Sequence, residues 1–247
     1  IIVSGPQEDR VIRAFNNVRF YKSDMSGKCD SLHSSTKNEL TQLIGKPVLW
    51  NNENQMTGNV MHLIGNNETE KLDSLKVLNN AFIIQKDSLS KNGFNQMKGQ
   101  NLFGRFEENK LKEVDIIKNA ESIYYIYNDK NEFVGIRKSV CSRINLEMNE
   151  NKIETMTGFN NTESNIYPDN EFPENARKLR GFAWRGDERI LSKENIFPEE
   201  ELAIDAKVQI DAQKKAIESD KPMEIQKETL EYDEKNPKPK DKTVKKL

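Results

Sequence analysis

The chain is poor in the residues that most often carry chemistry. Its 247 residues include two cysteines and two histidines. Two cysteines cannot build a disulfide framework, and Cys29 and Cys141 form no CxxC pair. They read as two small strand residues. His33 and His62 have neither HxxxH nor HExxH spacing, so the usual zinc patterns are missing. P-loop, GxGxxG and GxSxG motifs are absent as well. No stretch approaches the roughly 18–20 apolar residues that a membrane helix needs. An excess of positive charge is lacking: 38 Lys and Arg stand against 40 Asp and Glu, a formal net charge of −2. That balance argues against a nucleic-acid partner held by bulk electrostatics. With so many acids, some pair always resembles a glycosidase dyad, so that signal carries no weight. The expectation is a protein that is not an enzyme and that needs no cofactor and no metal.

Apolar residues are also scarce, at 35%, while charged residues reach 32%. Typical domains are about 45–50% apolar with glycine counted. The deficit implies a thin core, a solvated tail, or both. A tail separates first, over 198–247. It is dense in charge and ends in Asn236-Pro237-Lys238-Pro239-Lys240 and further lysines. Pro198 and the acids Glu199, Glu200 and Glu201 suit the first turn of a helix over 199–218. The apolar residues there, among them Leu202, Ile204, Val208 and Ile210, form no clean stripe. The reading is a weak helix followed by a disordered end.

Residues 1–197 read as all-β. Short β-rich runs alternate with polar turns such as Asn66-Asn67-Glu68 and Glu107-Glu108-Asn109. Internal repeats are present. Met25-Ser26-Gly27, Met56-Thr57-Gly58 and Met97-Lys98-Gly99 each open a segment, and Val140-Cys141-Ser142 stands where a fourth opener belongs. A second strand follows each opener. Leu72-x-x-Leu75-x-Val77-x-x-Asn80-Ala81 superposes on Leu111-x-x-Val114-x-Ile116-x-x-Asn119-Ala120. Weaker copies begin at Leu40, with Gly45 in its fifth following position, and at Ile153, with Gly158 and Asn161. Asn16-Asn17-Val18 resembles the end of another copy. The intervals fall within the roughly 20–50 residues that mark repeat architectures.

Such units stack because none closes a core alone. Alternation in Leu75-Lys76-Val77 and Val114-Asp115-Ile116 gives each strand one buried face. The asparagine after each pair breaks the alternation, and asparagine tolerates left-handed backbone. It therefore marks a bulge or corner, with the opener's glycine at the opposite corner. Two corners per unit fold each ribbon into a V. The run Ile123-Tyr124-Tyr125-Ile126-Tyr127 would be an aggregation hazard at an edge, so it belongs mid-stack. It is either plain core or the lining for an apolar ligand. The basic cluster Arg177, Lys178, Arg180, Arg185 and Arg189 allows phosphate contact. Ion pairing with Glu171, Glu174, Asp187 and Glu188 is the alternative, and the weightier one.

The block Phe172-Pro173-Glu174-Asn175-Ala176-Arg177-Lys178-Leu179-Arg180-Gly181-Phe182-Ala183-Trp184-Arg185-Gly186-Asp187-Glu188-Arg189 resembles the OstA-like family of the Bacteroidetes type. So do Met25-Ser26-Gly27-Lys28-Cys29-Asp30-Ser31-Leu32 and Ala120-Glu121-Ser122-Ile123-Tyr124-Tyr125. The family is similar to the periplasmic bridge protein of lipopolysaccharide transport. The resemblance spans 1–197 and implies an open, V-shaped β-jellyroll, with the repeat array truncated at its N-terminus. It implies a periplasmic location, the signal peptide being removed or truncated. It implies lipopolysaccharide or lipid A as ligand, and other β-jellyroll bridge proteins as edge-pairing partners. Homo-oligomerisation is a further possibility, and nucleic acid is not a partner. What carries over is the inward apolar face, with Leu75, Val77, Ile84, Phe103, Val114, Ile116, Ile123, Tyr125 and Ile144 as groove candidates. A one-residue slip in register would reverse that set. Arg177, Lys178, Arg180 and Arg185 are the candidates for phosphate. Two other readings stay open: an envelope scaffold with a filled core, and a carbohydrate-acting enzyme, for which Trp50 and Trp184 are too isolated.

Overall fold

A computed structural model describes residues 1–51, 53–69, 71–90, 92–149, 152–197, 207–208 and 210–211. The chain divides into units 1–197 and 198–247. The helix expected over 199–218 and the disordered end lie outside the described residues, except Lys207, Val208, Ile210 and Asp211, which are helical.

The first unit is all-β. Its strands are β1 (Ile2–Ser4), β2 (Val11–Lys22), β3 (Met25–Ser35), β4 (Leu40–Ile44), β5 (Val48–Asn51), β6 (Asn54–Thr57) and β7 (Val60–Asn66). They continue with β8 (Lys71–Lys86), β9 (Phe94–Glu107), β10 (Lys110–Tyr127), β11 (Phe133–Asn149), β12 (Lys152–Phe159) and β13 (Glu163–Tyr167). All pairings are antiparallel, in one sheet of order β1-β2-β3-β4-β7-β8-β9-β10-β11-β12. Beside this path β5 pairs β3 and β6, β6 pairs β8, and β13 pairs β11. The aromatic run of β10 lies between β9 and β11, mid-stack as expected.

The sheet turns a corner on every second strand, and the corner residues share one conformation. Asn16-Asn17, Gly45-Lys46, Asn79-Asn80, Lys118-Asn119 and Asn160-Asn161 are paired residues of positive φ, between 49° and 79°. The left-handed region is open to glycine and tolerable for asparagine, and costly for most other side chains. That cost explains why each pair keeps at least one Asn or Gly, with Lys46 and Lys118 as the two other side chains at these positions. Register shifts fall at the same places, between Phe15 and Val18, Leu78 and Ala81, and Ile117 and Ala120. Gly58 and Gly99 stand opposite these corners. A Cβ on Gly58 would meet Val77 Cγ1 at 2.3 Å, and one on Gly99 would meet Ile116 Cγ2 at 2.6 Å. Gly27 departs from the expectation. It lies inside β3 and makes room for the Phe20 ring, at 2.4 Å.

The corners divide the sheet into two half-sheets. Half-sheet I holds the strand portions around Ala14, Leu43, Met61, Val77, Leu102 and Ile144. Half-sheet II holds those around Leu49, Met56, Ile83, Met97, Ser122 and Ser139. Residues of both form one buried cluster, which includes Leu43, Leu49, Met56, Val77, Ile83 and Ile116. The core is therefore a seam between the two inward faces, each buried leucine or methionine contributing about 1.5–3 kcal/mol.

The distinctive block after Phe172 is a strap without strands. It crosses the outer face of half-sheet II from β11 to β2. Phe172 and Leu179 bury against Phe82, Ile84, Ile123, Tyr125 and Ile136. Phe182 and Trp184 meet the Phe94 ring, each at 5.2 Å between centroids. Farther along, Glu188 pairs with Lys28 at 2.7 Å, and Arg19 donates to the Ile196 carbonyl at 3.0 Å.

Candidate functional site

The strap is held by two glutamines in register. Gln55 on β6 and Gln96 on β9 both pair with Ile84 of β8, and they are 0% and 1% exposed. Each amide works like a short piece of backbone. Gln96 donates to the Arg177 carbonyl at 2.7 Å and accepts from the Leu179 N–H at 2.9 Å. Gln55 donates to the Ala183 carbonyl at 2.7 Å and accepts from the Arg185 N–H at 2.6 Å. Buried main-chain groups need such partners, and the strap has no strand to supply them.

The seam is the apolar feature of the unit. Six of the seven methionines bear on it: Met25, Met56, Met61, Met97 and Met148 are buried in the cluster and Met156 packs against it. In cross-strand register, Leu43, Met61, Val77, Leu102, Ile116 and Ile144 form one inner row of half-sheet I. Leu49, Met56, Ile83 and Met97 form its counterpart in half-sheet II. Two clefts lie at the mouth between the free tips. One, about 760 Å³, is lined by Lys22, Met25, Leu40, Leu63 and Leu72 among others. The other, about 980 Å³, is lined by Gln85, Asn95, Tyr124, Tyr127 and Ile153 among others. Burial, with Asp87 adding to it, raises the Tyr124 hydroxyl, and Arg137 opposes the shift. The Tyr127 hydroxyl is raised by burial and by its hydrogen bond to Asp87.

The groove candidates do not share one face. Leu75, Val77, Val114, Ile116 and Ile144 lie in the seam. Ile84, Ile123 and Tyr125 point the other way and are buried under the strap. Phe103 faces outward and is 36% exposed. The inward face keeps one parity through each corner: Leu75, Val77 and Ile83 share it in β8, and Val114, Ile116 and Tyr124 share it in β10. Ile84, Ile123 and Tyr125 have the opposite parity and belong to the outer face, which the strap makes as apolar as the inner one.

The basic candidates divide as well. Arg177 pairs with Asp169 at 2.7 Å and with Glu174 at 2.9 Å. Arg185 pairs with Glu188 at 2.7 Å. These bonds hold both guanidinium groups above their ordinary range. Both arginines are thus engaged within the strap, as the ion-pair alternative has it. Lys178 lies over the Phe182 ring at 5.2 Å, and Arg180 is exposed beside Asn79, Asn80 and Lys98.

The remaining chemistry-bearing residues are structural in placement. His33 and His62 flank Gln42 on the outer face of half-sheet I, and His62 shares a hydrogen bond with Gln42 at 3.1 Å. Cys29 and Cys141 are buried and unpaired with each other. Burial pushes the Cys29 thiol up to about 11. Among the described residues no group of three or more His, Cys, Asp or Glu could hold a metal ion. The sequence reading missed Gln55 and Gln96, and nothing in their spacing betrays them.

No protein-family model matches the chain, and no curated protein does. Among solved structures, LptH of Pseudomonas aeruginosa is similar to it, with a TM-score of 0.44 and 14% identity, over 60% of this chain and all of that one. That protein is described as the LptA-homologous periplasmic component of the lipopolysaccharide transport device.

Proposed function

We propose that this chain is a periplasmic lipid carrier, moving lipopolysaccharide towards the outer membrane with its acyl chains held in the seam, and that it is not an enzyme. One observation carries the reading: a methionine-rich apolar seam between two half-sheets, reached through clefts at its mouth. Methionine is unbranched and adaptable, so such a lining can repack around a guest. Each methylene that enters is worth about 0.8 kcal/mol, so no specific polar chemistry is needed to hold a chain. The strand edges at β1 and β12, which pair with no further strand among the described residues, fit pairing with other jellyrolls of a transport bridge or with a second copy.

A second reading is favoured by the closure of the seam. Leu43, Leu75, Leu102 and Val114 have no exposed surface, as in a scaffold with a filled core. Photo-crosslinking in cells that make lipopolysaccharide separates the two. A benzophenone side chain at Ile116, in the seam, labels lipid on the carrier reading, and one at Ile117, on the outer face, does not. Absence of lipid adducts at Ile116, with no lipid in the purified protein by mass spectrometry, refutes the carrier and leaves the scaffold.

A further inference from the structure

The two lips of the mouth differ in chemistry. The lip of half-sheet I is apolar, with Leu72, Phe106, Leu111 and Met148 buried and Ile153 partly so. The lip of half-sheet II is a polar comb with one residue on each of β6, β8, β9, β10 and β11. Asn54 pairs with Gln85, and Gln85 with Asn95. Asn95 lies one residue beyond Gln96, the partner of Ile123, so Tyr124 comes next, and Tyr124 pairs with Arg137. These residues alternate with Ile84, Gln96, Ile123 and Ile136, which face the strap or lie under it, so the comb faces inward.

The comb holds an unmet donor. Asn54 is 3% exposed, and its Nδ2 is buried with no hydrogen-bond partner among the described residues. A buried amide in that state costs about 1–3 kcal/mol. It borders a cavity of about 10 Å³, lined also by Ile83, Gln85, Asn95, Met97 and Ile153. Gln85, Asn95 and Ile153 also line the 980 Å³ cleft outside, so the small cavity and the mouth meet at the comb. Arg137, at its end, has no carboxylate partner among the described residues. Of the acids in the cleft, Asp87 accepts from the Tyr127 hydroxyl, and Glu53 lies at the rim.

We propose that this comb binds the oxygen-rich linkage region of an acylated, phosphorylated amphiphile, a proposal that rests on the seam being a lipid site. The supporting chemistry is direct. Asn54 Nδ2 and the Arg137 guanidinium are donors, so the ligand must bring acceptors. They sit where apolar seam gives way to polar mouth, the level at which an acyl chain joins its headgroup. Ester or amide carbonyls at the root of the chain answer Asn54, and a phosphate answers Arg137. On the opposite lip the inward side chains Leu72, Phe106, Leu111 and Met148 are apolar, and the nearby donors Asn67 and Lys71 are already bonded to Thr36 and Glu108, so the ligand binds with its headgroup turned to half-sheet II.

The test uses the whole chain and two probes: diphosphorylated hexa-acyl lipid A, and the apolar dye N-phenyl-1-naphthylamine. Asn54→Leu and Arg137→Gln each weaken lipid A binding about tenfold to a hundredfold, the range for a lost hydrogen bond to a buried or charged group. Both leave dye binding unchanged. Arg137→Gln also abolishes the preference for phosphorylated over dephosphorylated lipid A, and Asn54→Leu does not. Where Asn54→Leu fails to fold, Asn54→Ser gives the same readout. Variants that bind lipid A as the parent does, or that lose dye and lipid A in parallel, overturn the comb while lipid adducts at Ile116 keep the seam. A parent chain that binds neither probe and gives no such adducts overturns the seam, and the comb with it.

Discussion

The strap gives the most direct energetic test. In Gln96→Ala the Arg177 carbonyl and the Leu179 N–H each lose their partner, and Leu179 N–H is buried. An unsatisfied buried group costs about 1–3 kcal/mol, so two of them cost about 2–6. Water admitted at the new gap recovers part of this, which puts the expected loss at about 2–4 kcal/mol. Gln55→Ala removes an equivalent pair at Ala183 and Arg185 and should cost a similar amount. The two glutamines grip one strap within nine residues, so their losses are coupled. Once either clamp is gone, part of the strap is already released, and the double variant costs less than the sum. Urea unfolding followed by circular dichroism measures all three, and limited proteolysis between 168 and 197 reports release of the strap. A loss below about 0.5 kcal/mol in each single variant, with unchanged proteolysis, refutes the idea that these amides substitute for strand pairing.

Asn119, at φ 54°, tests the corners. Asn119→Gly leaves the melting temperature within a few degrees, while Asn119→Val, placing a β-branched residue in left-handed backbone, costs about 1–2 kcal/mol; equal melting of the two contradicts the account. Glu188 gives a pH signature. Arg185, then Lys28, hold its carboxyl at about 2, against an ordinary value of 4.5. Because the folded value is depressed, its contribution is complete above pH 4.5 and disappears as pH falls towards 2. Acid unfolding of Glu188→Gln should therefore lose slope in that window, and an unchanged acid profile counts against the pair.

The corners were legible because their physics is local. Asn80, Asn119 and Asn161 interrupt a period-two pattern, and one residue type tolerates the backbone that follows. The seam was legible only up to each corner. Leu75, Val77, Val114 and Ile116 precede it and were assigned to the correct face. Ile84, Ile123 and Tyr125 follow it and were not. Hydrophobicity does not separate the two faces of half-sheet II, since the strap covers the outer one and both carry apolar residues. The clamps and the comb were illegible for another reason. Gln55, Gln96, Asn54 and Asn95 are residues usually found at the surface, and only the tertiary fold buries them.

The strap also works as a measuring tape. Antiparallel β-arrays lengthen by duplication, since each new unit pairs with the last one, and strands lie about 4.7–4.9 Å apart. A duplicated unit adds two strands, so the far anchors, Lys28 and Arg19, would recede by about 10 Å from Gln96 and Gln55. About three more strap residues would then be required, at roughly 3.3–3.6 Å each. Without them the Glu188 and Ile196 contacts could not be made. The stretch from Tyr167 to Phe197 thus fixes how many strands this half-sheet can hold between its two anchored ends, a count that the repeats themselves do not set.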